Sequence, residues 1–404
     1  MKYVLYSVVL LPALTFGIFG DISTMPWVLI FIPLLFPKIK YELVTIGLYL
    51  AFFSLISILI WGADLLLITK SVIAILSATL IFPYVTKIDH REYVIAKKVL
   101  YAFIVLTIVI GVLQFLTPVA RQLTEFAFGR ASGFSGGKGV PGLSTEPARS
   151  AIDFIAVLIT LLYLDKNQKK NRHFQILIVA ALVFAVFINR SNTVFIYILI
   201  YVGILFLRRF SLKNIFRAIV IGIIVVILGY QLSNYLLGVH AVESAMNLLD
   251  SRDKVRLLTQ LGGHRVVGLT VVLNNITLFG NGLGGWYDAM YHYLNTNYEM
   301  IKNIGFYKLN GLKPTPPMSF FGRYIIEFGL IGLSFYFYLL LNNKKLARLK
   351  DFLKDPEPLF IIVILVILSY GGNPVPFLCL GLMYFKKFSN PFENYKLEYK
   401  SDQN

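Results

Sequence analysis

Residues 94–116 read VIAKKVLYAFIVLTIVIGVLQFL, with no charged side chain after Lys98. About 20 apolar residues in a helix cross the hydrocarbon core of a bilayer. Comparable blocks recur along the chain, which is 57% hydrophobic and 15% charged, whereas about 25% of the residues of a soluble domain are charged. The sequence therefore predicts an all-α polytopic membrane protein.

We predict about twelve membrane-spanning helices. The first apolar stretch has no small-residue cleavage site, which indicates a retained helix and not a signal peptide. Two short spans contain prolines and are expected to be tilted, broken or re-entrant; they are the second and the last below. The predicted spans are 3–20, 24–37, 43–61, 65–84, 94–116, 148–164, 174–188, 192–207, 214–237, 319–341, 357–370 and 374–385.

The basic residues predict the orientation, because short cytoplasmic connections are enriched in Lys and Arg. If the N-terminus is cytoplasmic, that side holds 24 of the 38 basic residues, and this bias explains the net charge of +17 without a nucleic-acid partner. We therefore expect both termini in the cytoplasm. The basic connections are 38–40, 87–98, 166–172, 208–217 and 344–354.

Two long segments are predicted on the outer side. The larger one exceeds a usual connection several-fold, at about 80 residues, which indicates a functional role. The single cysteine, Cys379, can form no internal disulfide and is predicted to lie in the core. The chain divides into N-terminal helices (1–116), central helices with a first outer loop at 117–150 (117–237), a large outer loop (238–318), C-terminal helices (319–388) and a cytoplasmic tail (389–404).

Polar groups at the start of the sixth span form the first candidate site, because charge in a bilayer is costly. We predict Ser144 or Thr145 as the N-cap of this helix. Glu146 and Arg149 then share one face, either as an ion pair at a capped helix end or as groups that face a substrate. Asp153, one turn deeper, favours the second interpretation because a buried carboxylate needs a partner.

Arg190 and Arg265 are predicted on the same outer side. Arg190 lies in a very short connection, either as an interfacial arginine or as a phosphate ligand, because a guanidinium matches phosphate oxygens. Arg265 and His264 open a helix predicted at about 265–278. His264 is either a structural hydrogen-bonding residue or a base.

A glycine-rich stretch, FGNGLGGW at 279–286, follows that helix. It follows no strand of an α/β unit, which argues against a dinucleotide site. We expect Gly282 and Gly284 to allow left-handed turns and close approach of the backbone to a ligand.

Arg323 and Glu327 return to the membrane together at i,i+4 spacing, either as a self-neutralising pair or as part of a site. No zinc motif, phosphate-binding Walker loop or Asp-x-Asp pair is present in the sequence. We therefore expect neither a metal nor another cofactor. Outward arginines can instead bind and stabilise a pyrophosphate; these are Arg149, Arg190, Arg265 and Arg323.

In this order of motifs the chain resembles the O-antigen polymerase and ligase family, which comprises the Wzy-type polymerases and their ligase relatives. The resemblance covers about residues 130–335. It begins with a Glu-Pro pair that opens a span, followed by an Arg-Ser outer turn, an arginine ahead of a glycine-rich turn, and a span with the pattern Glu-x-Gly-Leu-x-Gly. The matching residues are Glu146 and Pro147; Arg190 and Ser191; Arg265 with Gly280, Gly282 and Gly284; and Glu327 with Gly329 and Gly332.

The resemblance implies a GT-C-like membrane fold (class B) in the inner membrane of a bacterium, with its active site facing the periplasm. It implies that undecaprenyl-pyrophosphate-linked repeat units are joined by glycosyl transfer, with Glu146 as the base or acceptor-orienting group. Catalytic roles would also fall to Arg190 and Arg265. The implied partners are lipid-linked glycans, membrane lipids, and the flippase and chain-length regulator of the same pathway.

Met318 departs from the ligase pattern, in which a histidine precedes the Glu-x-Gly span. This difference favours a polymerase over a ligase that transfers glycan to lipid A-core. The alternative of another class, a lipid-linked oligosaccharide flippase, is disfavoured by the long outer loop and by the lack of two similar halves.

Overall fold

The computed structural model describes residues 1–14, 26–128, 139–166, 172–189, 191–208, 264–302, 304, 307–308, 311–367, 369 and 371–388. Within these ranges the chain is helical and contains no β-strand. Six of the described helices are long and apolar enough to cross a membrane: Ile32–Trp61, Leu65–Val85, His90–Leu116, Pro147–Leu164, Arg172–Asn189 and Phe320–Leu341. The prediction of an all-α membrane protein with several spans is thereby confirmed.

The helices before residue 170 are α1 (Lys2–Val9), α2 (Trp27–Ile30), α3 (Ile32–Trp61), α4 (Leu65–Thr79), α5 (Ile81–Val85), α6 (His90–Leu116), α7 (Pro118–Phe128) and α8 (Pro147–Leu164). Those after it are α9 (Arg172–Val183), which continues as a π-helix over Phe184–Asn189, α10 (Asn192–Arg208), α11 (His264–Asn274), α12 (Trp286–Thr296), α13 (Tyr298–Ile301), α14 (Phe320–Phe352), α15 (Pro356–Ile367) and α16 (Val375–Phe388).

The two spans predicted at 24–37 and 43–61 are joined within α3. Their predicted connection is a kink, where Ile39 has non-helical backbone angles (φ −121°, ψ 18°) two residues after Pro37. A proline inside a helix removes one amide donor and bends the chain. Helices also occur at 192–207, 357–370 and 374–385, as the shorter α10, α15 and α16.

The twelve-span count stays a prediction. The span at 214–237, residues 15–20 of that at 3–20, the tail 389–404 and residues 238–263 of the large loop lie outside the described residues. The described part of the first span contains α1, which ends at Val9.

The buried helix α8 lies among α6, α10, α15 and α16. Nearly all of its side chains are buried. Cys379 of α16 is buried too, as predicted. The first residues of α8, which contain the Glu146 motif, are therefore held in place by the core of the bundle.

At one end of the bundle, lysines pair with buried or half-buried carboxylates. We call it the lysine-rich end. The pairs are Lys38 with Glu92, Lys87 with Glu42, Lys97 with Asp165, and Lys387 with Asp355. These residues belong to connections that the sequence assigns to one side of the membrane, and the structure brings them together at one end. The side that this end faces stays a prediction.

Glu92 is the most fully enclosed of these carboxylates. Its Oε1 accepts hydrogen bonds from the hydroxyls of Tyr6 and Tyr84. Its Oε2 accepts from Lys38 Nζ at 2.7 Å and lies 2.9 Å from Lys2 Nζ. One carboxylate thus joins α1, α3, α5 and α6 at the lysine-rich end.

Replacing Glu92 with Gln should lower the free energy of unfolding in detergent by roughly 3 kcal/mol. The amide keeps the shape but removes the charge, and one oxygen that accepts from lysine becomes a donor. Asp89→Asn is the matched control, since Asp89 is exposed and Asn caps the same helix equally well. Unfolding by titration with denaturing detergent measures both variants, and equal stabilities would contradict the central role of Glu92.

Candidate functional site

The glycine-rich turn at 279–285 is hydrogen-bonded to an interruption in helix α14. Gly329 has a left-handed backbone (φ +70°) inside this helix. The amides of Leu330 and Ile331 donate to the carbonyls of Thr277 and Leu278, each at 3.0 Å. In return, the amide of Asn281 donates to the Ile326 carbonyl at 2.7 Å. The two glycine motifs of the sequence therefore provide hydrogen-bond partners for each other's backbone amides and carbonyls.

Close packing at this contact requires glycine. A Cβ on Gly280 would overlap the backbone of residues 327–329, and one on Gly329 would overlap the backbone of Gly280. Gly282 and Gly284 have positive φ angles, as predicted. The atoms that they approach belong to Trp61 and Leu67, so packing within the protein already accounts for glycine there. Ligand contact at these positions stays a prediction.

A buried polar cluster lies directly beside the turn. Glu327 Oε1 accepts from Ser71 Oγ at 2.6 Å and lies 3.4 Å from both Arg323 Nε and the Gly284 amide. Arg323 Nη2 donates to Ser71 Oγ at 2.9 Å, and its guanidinium lies over the Trp286 ring at 5.5 Å. The pair predicted from i,i+4 spacing is therefore formed.

A short segment leads into α8 and determines where Glu146 lies. Glu146 is extended (φ −151°, ψ 152°) and occupies the N-cap position itself, with Pro147 as the first helical residue. The predicted N-cap, Ser144 or Thr145, is therefore wrong. Proline at the first helical position favours this placement, since its missing amide would have no partner there.

Asn189, the last residue of the π-helix, holds this segment in place. Its side-chain amide donates to the carbonyls of Val140 at 3.0 Å and Pro147 at 3.2 Å. The Val140 amide donates to the Ile188 carbonyl at 3.1 Å. The residue before Arg190 thus contacts the start of α8 directly, whereas Arg190 itself lies outside the described residues.

Arg149 and Asp153 lie inside the core of the bundle, on successive turns of α8. Asp153 Oδ1 accepts a hydrogen bond of 2.7 Å from the side-chain amide of Asn373, which lies in the turn before α16. The carboxylate that the sequence predicts to need a partner therefore has one, from a residue 220 positions away.

Arg265 connects the described part of the large loop to α10. Its Nη1 donates to Thr193 Oγ1 at 3.2 Å, two residues after Ser191. The predicted helix at about 265–278 is present as α11, His264–Asn274. The side chain of His264 lies outside what the structure describes.

The remaining contacts join α11, α14 and the turn before α16 to the start of α8. Gly268 of α11 packs against Pro317, and Gly322 of α14 packs against Val272. At the other side, Tyr324 donates to the Gly371 carbonyl at 3.1 Å, and Asn373 leads back to α8. We call this arrangement the motif cluster: Glu146, Pro147, Arg149, Asp153, Asn189, Thr193, Arg265, residues 280–284, Arg323 and Glu327.

The motif cluster lies at the end of the bundle opposite the lysine-rich end. Helix α8 runs from Glu146 to Asp165, which pairs with Lys97. Helix α3 runs from Glu42, which pairs with Lys87, to Trp61, which packs against Gly282. The two ends thus carry different chemistry. One end has lysine–carboxylate pairs, whereas the other has Arg265 with a hydroxyl partner and Arg323 shared between Ser71 and Glu327.

Several buried polar atoms of the motif cluster and its neighbours have no hydrogen-bond partner in the described part of the chain. Buried polar atoms are normally paired, so such a group marks a place where a polar ligand fits. The atoms are Ser144 Oγ, Asn189 Oδ1, Trp286 Nε1 and Glu327 Oε2. In the same ranges, no three His, Cys, Asp or Glu side chains are grouped as metal ligands.

Ser71, Asn189 and Asn373 were missed by the sequence analysis. Each holds a motif residue in place through a single hydroxyl or amide. A polar residue within an apolar stretch is the signal that marks Ser71 and Asn189, because such residues are costly in a membrane. Their partners are distant in sequence, so no spacing rule identifies them.

A comparison with models of known protein families finds no match, and a comparison with curated proteins finds none either.

Alanine at Gly280 or Gly329 should separate the turn from α14 and lower the free energy of unfolding by at least about 2 kcal/mol, through steric overlap in addition to backbone strain. The matched control is Gly311→Ala, because Gly311 has the same φ of +70° but no atom within 4 Å of its Cβ position. Thermal unfolding in detergent measures all three. If Gly311→Ala costs as much as the other two, close packing is not what requires glycine there.

Proposed function

We propose that this protein is a membrane-embedded glycosyltransferase that joins polyprenyl-pyrophosphate-linked oligosaccharide repeat units. Undecaprenyl pyrophosphate is the proposed carrier, and O-antigen polymerisation is the proposed type of reaction. The observation that carries the proposal is the motif cluster, in which four segments spread over residues 146–332 meet at one end of the bundle. These are the segments on which the resemblance to O-antigen polymerases and ligases rests.

The proposed reaction is a displacement at the anomeric carbon of the donor glycan. The acceptor hydroxyl oxygen forms a bond to this carbon, and the bond from the carbon to the pyrophosphate oxygen breaks. The hydroxyl proton passes to the Glu146 carboxylate, and polyprenyl pyrophosphate leaves as the anion. Glu146 is the proposed base because its half-buried carboxylate lies within the motif cluster, at the start of α8.

Arginines are proposed to stabilise the leaving pyrophosphate in place of a metal ion. A guanidinium donates two parallel hydrogen bonds to phosphate oxygens, and preorganised charge of this kind lowers the barrier for a departing anion. Arg265 is the strongest candidate, since its only described partner is a neutral hydroxyl, Thr193. Arg149 and Arg190 are the further candidates, and His264 would assist Arg265.

Arg323 is proposed to hold the neighbouring polar side chains in position and not to bind the leaving group. Its charge is already shared with Glu327 and Ser71. Trp286 Nε1 and Glu327 Oε2, which have no hydrogen-bond partner among the described residues, lie beside it and suit the hydroxyls of a sugar. A pyranose would stack on aromatic residues of α12, of which Tyr287 and Tyr291 are parallel.

The proposed orientation places the lysine-rich end in the cytoplasm, where positive charge is enriched in membrane proteins. The motif cluster then faces the outer side, which is the periplasm in a bacterium with two membranes. Lipid-linked repeat units would arrive there from a flippase, and a chain-length regulator would act on the product.

Deletion of the gene in the native host, with complementation by Arg265 variants, tests the proposal. We expect the deletion to leave single repeat units on the final acceptor and Arg265→Ala to reduce longer chains by about 100-fold, the usual effect of removing one charge-stabilising donor. Arg265→Lys should recover chain length only in part, because an ammonium lacks the paired donors. Gel analysis of the polysaccharide measures chain length.

Lys313→Ala is the matched control, since Lys313 is an exposed cation outside the motif cluster. It should restore full-length chains at equal membrane abundance. If single repeat units never reach the acceptor in the deletion strain, the protein acts as a ligase or a flippase. If Arg265→Ala matches wild type, Arg265 is not in the site.

A further inference from the structure

Helix α7 has an amphipathic pattern opposite to that of a helix on a soluble protein. Three of its large apolar side chains point away from the rest of the molecule, whereas Phe128 at its end is buried. Val119 is 64% exposed, Leu123 is 66% exposed and Phe126 is 70% exposed. At i, i+4 and i+7 these residues share one face of the helix. A helix whose apolar face is directed outward must border an apolar medium or a partner.

Two polar side chains of α7, Arg121 and Thr124, contact other parts of the chain. Arg121 Nε donates to the Gln114 carbonyl at 2.7 Å, and Arg121 Nη2 donates to the Phe115 carbonyl at 3.3 Å. Thr124 is buried and accepts from Gln114 Nε2 at 2.7 Å. The helix therefore uses its polar face to complete the end of α6, where carbonyls would otherwise lack partners.

The exposed face of α7 continues the lipid-facing surface of α6. The two helices are separated only by Thr117, whose extended backbone (φ −133°, ψ 135°) precedes Pro118 and turns the chain. The last two residues before this bend, Phe115 and Leu116, are also exposed and apolar. Along α6 the exposed apolar side chains are Val105, Leu106, Val109 and Leu113.

We propose that α7 lies in the membrane interface, with Val119, Leu123 and Phe126 inserted among lipid acyl chains. Lipid is favoured over a protein partner because the exposed apolar surface of α7 is continuous with that of the membrane-spanning helix α6 and has no break at the bend. An amphipathic helix parallel to the membrane binds by burying its apolar face at the boundary of headgroups and chains. This inference does not rest on the proposed reaction.

The inserted helix is coupled to the segment that carries Glu146. Gln114 contacts Thr124 of α7 on one side, and on the other its Nε2 donates to the Gly142 carbonyl and its Oε1 accepts from the Gly142 amide, each at 2.9 Å. One buried glutamine thus ties the interfacial helix to the approach of α8. The depth of α7 in the membrane therefore sets the height of that segment relative to the lipid headgroups.

Spin-label accessibility in the full-length protein tests the inference. Cys379 is the single cysteine and is buried, so Cys379→Ala gives a background in which Val119→Cys, Leu123→Cys and Phe126→Cys can be labelled singly. The protein is reconstituted in vesicles of phosphatidylethanolamine and phosphatidylglycerol. Val109→Cys on α6 serves as the lipid reference, and Lys313→Cys serves as the water reference.

We expect labels at all three α7 positions to collide more with oxygen than with a water-soluble nickel complex, at a depth shallower than that of Val109. Accessibility like that of Lys313 would overturn the inference, because the face would then border water. Low accessibility to both oxygen and nickel would also overturn it, since another protein segment would then cover the helix. Gln122→Cys, on the edge of the same face, should report a shallower depth than Leu123.

Discussion

A helix that is interrupted at membrane depth must find new partners for its backbone groups, because lipid offers none. In α14 the interruption at Gly329 is stabilised by the carbonyls of Thr277 and Leu278, which accept from the Leu330 and Ile331 amides. In exchange, the Asn281 amide of the glycine-rich turn donates to the Ile326 carbonyl of α14. This exchange sets the position of the described part of the large loop, from residue 264 onward, relative to the bundle. The loop's helix α11 and its Arg265 then reach Thr193 of α10, so one backbone contact organises half of the motif cluster.

The charged side chains differ between the two ends of the bundle. Lysines at one end pair with carboxylates that are buried on the protein side, while the ammonium groups remain partly exposed. At the other end, Arg265 donates to a hydroxyl, which does not cancel its charge, whereas Arg323 is paired with Glu327. A lysine is a strongly hydrated point charge, whereas a guanidinium offers several directed donors and tolerates burial. The second arrangement suits the binding of an anion and the first suits contact with water.

The sequence predicted the parts of the motif cluster that depend on residues close together in the chain. The i,i+4 spacing of Arg323 and Glu327 predicted their pair, and the glycines of 280–284 predicted a turn with positive φ angles. The N-cap of α8 was wrong, because Pro147 determines the helix start more strongly than the side chains of Ser144 and Thr145. The partners of Ser71, Asn189 and Asn373 could not be predicted, since they lie 42 to 256 positions away.

The sequence alone determined that this is a helical membrane protein, because the length of an apolar block and the thickness of a bilayer define a span without reference to other helices. It also predicted which connections share one end, since Lys and Arg follow a rule that acts on each connection separately. The tertiary structure decided which polar groups meet, and that α7 turns its apolar face outward. Those features depend on how the helices pack against one another. A buried polar group is stabilised when another residue completes its hydrogen bonds, and that residue can be distant in sequence, so no local pattern encodes the pairing.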